Sequence, residues 1–248
     1  MKNVYEKILV LNANDGDFQS KLSIPAIMRF FQVAAGEHSI IMKMDHFTIV
    51  EKNNAFWVIT KVKLKIFNLP MWGEKVLLRT WPLLPTSIKC NRDFEFINDK
   101  NEVLIQGISE WCILDLDNRR PRRVSSTCYP LNLVHLEKRS FDDNFVHFKT
   151  NVLEDELLYE RVIRSSDIDL NLHTNNTIYS NMVMDAFSVT NLATHELKDY
   201  EIHFSHESKE GETLRIYRSD LENKVLISGI EKDSGKIVFQ TGIKFVDK

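Results

Sequence analysis

Asp169, Asn171, His173, Asn175 and Asn176 place a carboxylate, an imidazole and three amides within eight residues. A carboxylate and an imidazole are the usual groups of general acid–base and nucleophilic catalysis. Asn175, Asn176 and Thr177 are residue types that cap helix N-termini, and the apolar periodicity over 178–187 predicts a helix directly after them. The polar cluster should therefore stand at the mouth of a helix, where free N–H groups and the helix dipole favour developing negative charge. The same residues would also make a well-capped loop with Asx turns and no chemistry.

A second polar group, His203, His206 and Glu207, lies further along. On a strand His203 and His206 would point to opposite faces, and His-x-x-His is then a poor ligand pattern, so no metal is expected. Glu207 remains as an acid–base partner for His173, on condition that the fold brings them together. On an unbroken strand Glu207 would share a face with His203 and Ser205, away from Ile202 and Phe204. A bulge or a strand end near His206 is needed to aim it at an apolar-rimmed site. The chain has no glycine-rich phosphate loop and no G-x-S-x-G elbow, which leaves nucleotide chemistry and a serine hydrolase without support.

Of the 248 residues, 43% are hydrophobic and 27% charged, an ordinary globular composition with ample material for a core. A net charge of −3 gives no reason to expect nucleic acid or an anionic membrane as partner. Cys90, Cys112 and Cys128 are far apart with no CxxC spacing, which fits a reducing cytosol better than a disulfide framework. Residues 1–11 lack a signal-peptide core and read as a first strand, and no run has the apolar length of a membrane span. No cofactor is called for. Four arginines, Arg119, Arg120, Arg122 and Arg123, make a basic spot that is either a solvated connector or a dock for an acidic or phosphate-bearing partner.

The positioning elements come in two sets. Helical periodicity over 24–44 is followed by strand patterns over 56–66, 75–81, 88–97 and 103–114. A helix over 176–192 is followed by strand patterns over 199–206, 213–218, 224–231 and 237–246. Gly73 and Gly211 match at an offset of 138, and Gln106 and Gln240 at 134. This predicts an α+β fold of two tandem units, each a long helix wrapped by an antiparallel sheet, over 1–130 and 131–248. Matching the helix entries sets Asp17 against Asp169, Gln19 against Asn171 and Lys21 against His173. Only the second copy carries the imidazole, which predicts one active site per chain and a first half free to hold an apolar ligand.

The run Asp167-Ile168-Asp169-Leu170-Asn171-Leu172-His173-Thr174-Asn175-Asn176-Thr177-Ile178-Tyr179 resembles the D-x-D-x-N-x-H-V-N-N-x-x-Y motif of the acyl-acyl carrier protein thioesterases, a two-hotdog family that includes plant plastid enzymes. His195-Glu196-Leu197 and Ser205-His206-Glu207-Ser208 resemble its H-E-L and R-R-E-C segments, and Asp185 falls where it has glutamate. In the first half Leu69-Pro70-Met71-Trp72-Gly73-Glu74, Arg79-Thr80-Trp81, Trp111 and Arg119-Arg120-Pro121-Arg122 are similar to family segments as well. The resemblance implies two hotdog domains and hydrolysis of fatty acyl-acyl carrier protein in fatty acid biosynthesis. It carries the catalytic set over to Asp169, Asn171, His173 and Glu207. Ser208 stands where many relatives have cysteine, so a thiolate there is excluded as nucleophile. In the mechanism expected on this basis Glu207 is general base or nucleophile, His173 and Asn171 position the water or the carboxylate, Asp169 holds the local hydrogen-bond network, and backbone N–H groups near Asn175 and Asn176 stabilise the oxyanion.

Phe30, Phe31, Trp57 and Trp72 are candidate walls of the acyl pocket, and the four arginines are candidates for docking acyl carrier protein. Two other readings stay open, an acyl-thioester hydratase or dehydratase and a non-catalytic acyl-thioester binder. Two units in one chain leave both a monomer and a homodimer open.

Overall fold

Val62, Leu64 and Ile66 are buried while Lys61, Lys63 and Lys65 are not, the alternation of a strand with one covered face. The computed structural model describes residues 3–141, 143–148 and 155–248. β1 (Tyr5–Val10), β2 (Ala55–Ile66), β3 (Lys75–Pro82), β4 (Lys89–Ile97) and β5 (Val103–Asp115) belong to the first half. β6 (Glu156–Val162), β7 (His195–Phe204), β8 (Thr213–Leu221), β9 (Lys224–Glu231) and β10 (Ile237–Asp247) belong to the second. All ten join one antiparallel sheet in the order β1-β3-β4-β5-β2-β7-β10-β9-β8-β6. The order on one side of the β2/β7 seam is therefore mirrored on the other. Pairing at the seam is symmetric: Lys61 faces His203, Lys63 faces Glu201 and Lys65 faces Asp199. An offset of 138 exchanges the two outer pairs and returns Lys63/Glu201 to itself, so a pseudo-two-fold axis passes between Lys63 and Glu201.

α1 (Ile24–Ile41) starts where the Ser23 hydroxyl accepts the Ala26 N–H, with Pro25 in its first turn. It ends three residues short of the periodicity, and α2 (His46–Asn53), capped by the Asp45 carboxylate, follows as a separate helix absent from the sequence reading. The long second helix is also two: α3 (Asn176–Met184) stops, and Ser188 caps α4 (Val189–Thr194). β6, ahead of α3, likewise gave no sequence signal. α1 and α3 pack against each other. One buried apolar cluster unites Phe31, Phe94 and Phe96 with Tyr179, Tyr200 and Phe239, so the two halves share a core.

The repeat reaches down to single hydrogen bonds. The Asp17 N–H donates to Lys21 O at 2.7 Å and the Asp169 N–H to His173 O at 2.8 Å. Leu22 N–H donates to Pro70 O and Thr174 N–H to Ser208 O, again one step of 152 and one of 138. Ser20 and Leu172 share a φ of 61°, and Gly73 and Gly211 one of 88°.

Residues 131–148, as far as they are described, cross the outer face of the sheet from the first half to the second. Trp81 Nε1 donates to Lys138 O at 2.9 Å, and Lys138 Nζ reaches Glu95 Oε1 at 2.7 Å. Further on, Lys63 Nζ donates to Asn144 O at 2.9 Å and the Val146 N–H to Glu201 Oε1 at 2.7 Å. The connector thus visits β3, β4, β2 and β7 in their order in the sheet.

Candidate active site

The loop before α3 is shaped by its own acid. Asp169 Oδ1 accepts the Asn171 N–H at 2.8 Å, as Asp17 Oδ1 accepts the Gln19 N–H at 2.8 Å in the first half. Leu172, in the left-handed region, then turns the chain so that His173 points inward. The Asn175 side chain caps α3 by accepting the Thr177 N–H at 2.9 Å.

β7 ends at Phe204, and the Ser205 and His206 N–H groups both turn to Val238 O, at 2.8 and 3.3 Å. Glu207 therefore lies beyond the strand and is released from its alternation; no bulge is required. Ser208 fixes the segment. Wholly buried, its hydroxyl lies 2.7 Å from Thr174 Oγ1 and 2.9 Å from the Tyr179 hydroxyl. These bonds tie the end of β7 to the helix-entry loop and bring Glu207 Oε2 within 3.1 Å of His173 Nε2.

A third group joins this pair. Arg119 Nη2 lies 3.3 Å from His173 Nε2 and 3.6 Å from Glu207 Oε2, with its guanidinium 4.7 Å above the Phe56 ring. Arg119 itself has a φ of 59°, a conformation the Asp115–Arg120 turn imposes. The basic spot accordingly does not act as one patch. Arg119 belongs to the reaction centre, Arg122 donates to Asn53 O and pairs with Asp115, and Arg120 and Arg123 are exposed. Arg119 and Arg122 thus make contacts within the fold that the docking expectation did not include.

Asp169, Asn171, His173, Asn175, Asn176 and Glu207 all line one cavity of 710 Å³, within the range of small-molecule sites. Its other wall comes from the first half, from α1 at Ala35 and Gly36, from Trp57 to Thr60, and from Cys90, Trp111 and Tyr129. Of the four expected wall aromatics only Trp57 borders the cavity. Phe31 is core, stacked on Phe94 at 3.9 Å between ring centres, and Phe30 packs edge-on to Phe96. Trp72 is 62% exposed on the turn before β3. Those three assignments are corrected: aromatic type alone does not say which side of the sheet a residue meets. The Asn175 N–H is also unavailable for an oxyanion, because it donates to Asp167 O at 2.8 Å. Asn176, first residue of α3, keeps the unpartnered N–H of a helix start.

His203 pairs with Glu201 at 2.8 Å and meets the Phe148 ring edge-on on the connector side, while His206 Nδ1 meets Ile237 O. Among the described residues no group of three or more His, Cys, Asp and Glu side chains converges as metal ligands do.

The family model described as acyl-ACP thioesterase N-terminal domain matches residues 2–130, and that described as acyl-ACP thioesterase C-terminal domain matches residues 152–246. The chloroplastic oleoyl-acyl carrier protein thioesterase of Coriandrum sativum is 26% identical over 219 residues, 82% of this chain and 59% of that protein. Oleoyl-acyl carrier protein thioesterase 1 of Arabidopsis thaliana is 24% identical over 225 residues, 85% of this chain and 62% of that protein. The chain thus spans about six-tenths of the length of these curated relatives. Its fold is that of an acyl-ACP thioesterase from Bacteroides thetaiotaomicron, with a TM-score of 0.88, 20% identity and 98% of both chains covered. It is also that of the 12:0-ACP thioesterase from Umbellularia californica, with a TM-score of 0.88, 18% identity and coverage of 100% and 99%. With both domain models matched along most of its length, the chain belongs to the acyl-ACP thioesterase family.

Proposed function

We propose that this chain hydrolyses the thioester joining a fatty acyl chain to the phosphopantetheine of acyl carrier protein. The observation that carries the reading is the approach of Glu207 to His173, 3.1 Å, at the mouth of a cavity built by both halves. Glu207, held in place by the His173 Nε2–H, takes a proton from a water positioned by Asn171, and the hydroxide adds to the acyl carbon. The oxyanion is met by the Asn176 N–H at the start of α3. Collapse expels the thiolate, which recovers the proton from Glu207, and the fatty acid leaves with the water oxygen. Asp169 holds the loop in shape, as Asp17 does without chemistry. Attack by the Glu207 carboxylate itself, forming a mixed anhydride that water then opens, is the variant.

The acyl tail runs past Trp57 toward Trp111 and Tyr129 in the first half. Each half, with its helix against five strands, is a hotdog unit, residues 1–130 and 131–248, and the seam supplies the pairing that a dimer would. Arg120 and Arg123, exposed near the mouth-forming Arg119, fit an acidic carrier. Three free thiols fit a reducing cytosol.

Purified protein incubated with acyl-acyl carrier protein should release free thiol, and Glu207→Gln should slow this by about 10²–10⁴. Wild-type turnover in the variant would remove Glu207 from the mechanism. Intact thioester with the wild-type protein, across a range of chain lengths, would remove hydrolysis itself.

A further inference from the structure

The pseudo-two-fold axis generates a second pocket. It measures 580 Å³ and is built from the counterparts of the elements around His173: the 14–26 loop, the end of β2 at Ile66 to Leu69, the α3 helix, and β7 at His195 to Lys198. The correspondence holds in the pairing itself, since Ile59 faces Trp111 in the first half and Leu197 faces Phe245 in the second. Phe245 and Leu197 border the second pocket as Trp111 and Ile59 border the first.

What differs is the chemistry. Leu69 occupies the place of Glu207 and Lys21 that of His173. Lys198 replaces Thr60, and Lys248 replaces Leu114. The Glu207–His173 pair has no counterpart here, so this pocket lacks the arrangement on which the proposed hydrolysis rests. Three ammonium groups have arrived instead, against two half-buried acids, Asp17 and Glu196. Glu196 is held below the usual carboxylate range first by its hydrogen bond to Lys198, at 2.7 Å, with Lys21 and Lys248 adding to the effect. Lys248 is otherwise occupied, donating to Ala193 O and Gln19 Oε1. The Lys21 ammonium makes no hydrogen bond or ion pair with any described residue. Behind it stand Leu69, Ile178, Met184, Leu192 and Phe245, an apolar wall.

We infer that this second pocket binds a carboxylate-headed acyl chain, a free fatty acid, with its head on Lys21 and Lys198 and its tail against the wall at Ile178 and Phe245. Shape inherited from an acyl-binding twin selects the tail. Excess positive charge in place of an acid–base pair selects an anionic head over a neutral thioester. The site is separate from the reaction centre, and its choice of an acyl tail rests on the acyl binding proposed for the His173 cavity.

Titration calorimetry with decanoate below its micelle concentration tests this. Wild-type protein should bind two equivalents, one in each pocket, and Lys21→Glu/Lys198→Glu should bind one. In the milder Lys21→Ala/Lys198→Ala, which guards against misfolding of the charge-reversed form, affinity at this site should fall about a hundredfold or more, the loss of two charge-assisted contacts. Thioester turnover should be unchanged in both. If the His173 cavity took no acyl chain, the counts would be one and zero, and the difference would still be one equivalent. Equal stoichiometry in wild type and both lysine variants, or 1-decanol binding at this site as tightly as decanoate, would overturn the inference.

Discussion

Arg119 Nη2 lies 3.3 Å from His173 Nε2, the same nitrogen that stands 3.1 Å from Glu207 Oε2. A guanidinium only donates and a carboxylate only accepts, so one imidazole nitrogen cannot serve both at once. His173 Nδ1 is buried with no partner, and a proton placed there would be unsatisfied. The proton therefore resides on Nε2 and is given to Glu207. Arg119 is left as a fixed charge, stacked on Phe56 and facing the carboxylate at 3.6 Å.

Arg119→Ala should for that reason lower kcat on acyl-carrier and acyl-CoA substrates alike. An ion pair this exposed is worth about 0.2–1 kcal/mol, which corresponds to about 1.5–5-fold in rate. Arg119→Lys should recover only part of this, because a point charge cannot stack and face two groups at once. A docking role alone would instead raise KM for the carrier-bound substrate, leave kcat intact and spare acyl-CoA.

Ser208 is next to the acid but has no access to the cavity. Its hydroxyl bridges Thr174 and Tyr179 inside the fold. Ser208→Ala leaves those two hydroxyls short of a partner, and a loss of about 1–3 kcal/mol in urea unfolding is expected. Turnover should fall modestly with it, since the same bonds aim Glu207. Ser208→Cys should not exceed the wild-type rate; a large gain would mean that this side chain reaches the substrate.

Local chemistry was legible, and long-range contact was not. The helix start at Asn175, the polar loop around Asp169 and the offsets between halves can all be read from the sequence alone. The aim of Glu207 could not, because it depends on where β7 ends, and that is decided by Val238 O capturing two N–H groups and by Ser208 meeting Thr174. Arg119 was assigned to a surface patch because His173 is 54 residues away along the chain. Trp72 looked like a pocket wall by type alone, but the turn at Gly73 carries it outward.

Gly107 should resist any side chain. A Cβ added there would sit 2.3 Å from the Phe31 ring, and Phe31 has no room to yield because it stacks on Phe94 at 3.9 Å. Gly107→Ala should cost about 1–3 kcal/mol by overpacking, a fall in Tm of roughly 2–12 °C for a chain of this size. Gly36, in α1 with nothing within 4 Å of an added Cβ, is the matched control. Gly36→Ala should gain about 0.4–1 kcal/mol through the unfolded chain. A smaller loss at 107 than at 36 would contradict the packing described for Phe31.

Asp93 gives the fold a pH dependence of definite sign. It is fully buried on β4, where Oδ2 accepts the Ser140 N–H at 2.6 Å and Arg139 Nε at 3.2 Å, while Oδ1 has no partner. Burial pushes its carboxyl above the usual range, against the opposing pull of Ser140 and Arg139. A carboxyl whose folded value exceeds its unfolded value, about 3.9, holds its proton more tightly in the folded state. Its contribution to stability is therefore largest at low pH and declines as pH rises through the unfolded value to the folded one, then stays level. Asp93→Asn keeps the shape and an acceptor for Ser140 but does not titrate. The stability of the wild type relative to this variant, from urea unfolding between pH 4 and 7, should consequently decrease with rising pH. A difference that grew with pH would mean that the Arg139 ion pair outweighs the cost of burying the charge, and that the connector is held to the sheet by the ionised rather than the protonated acid.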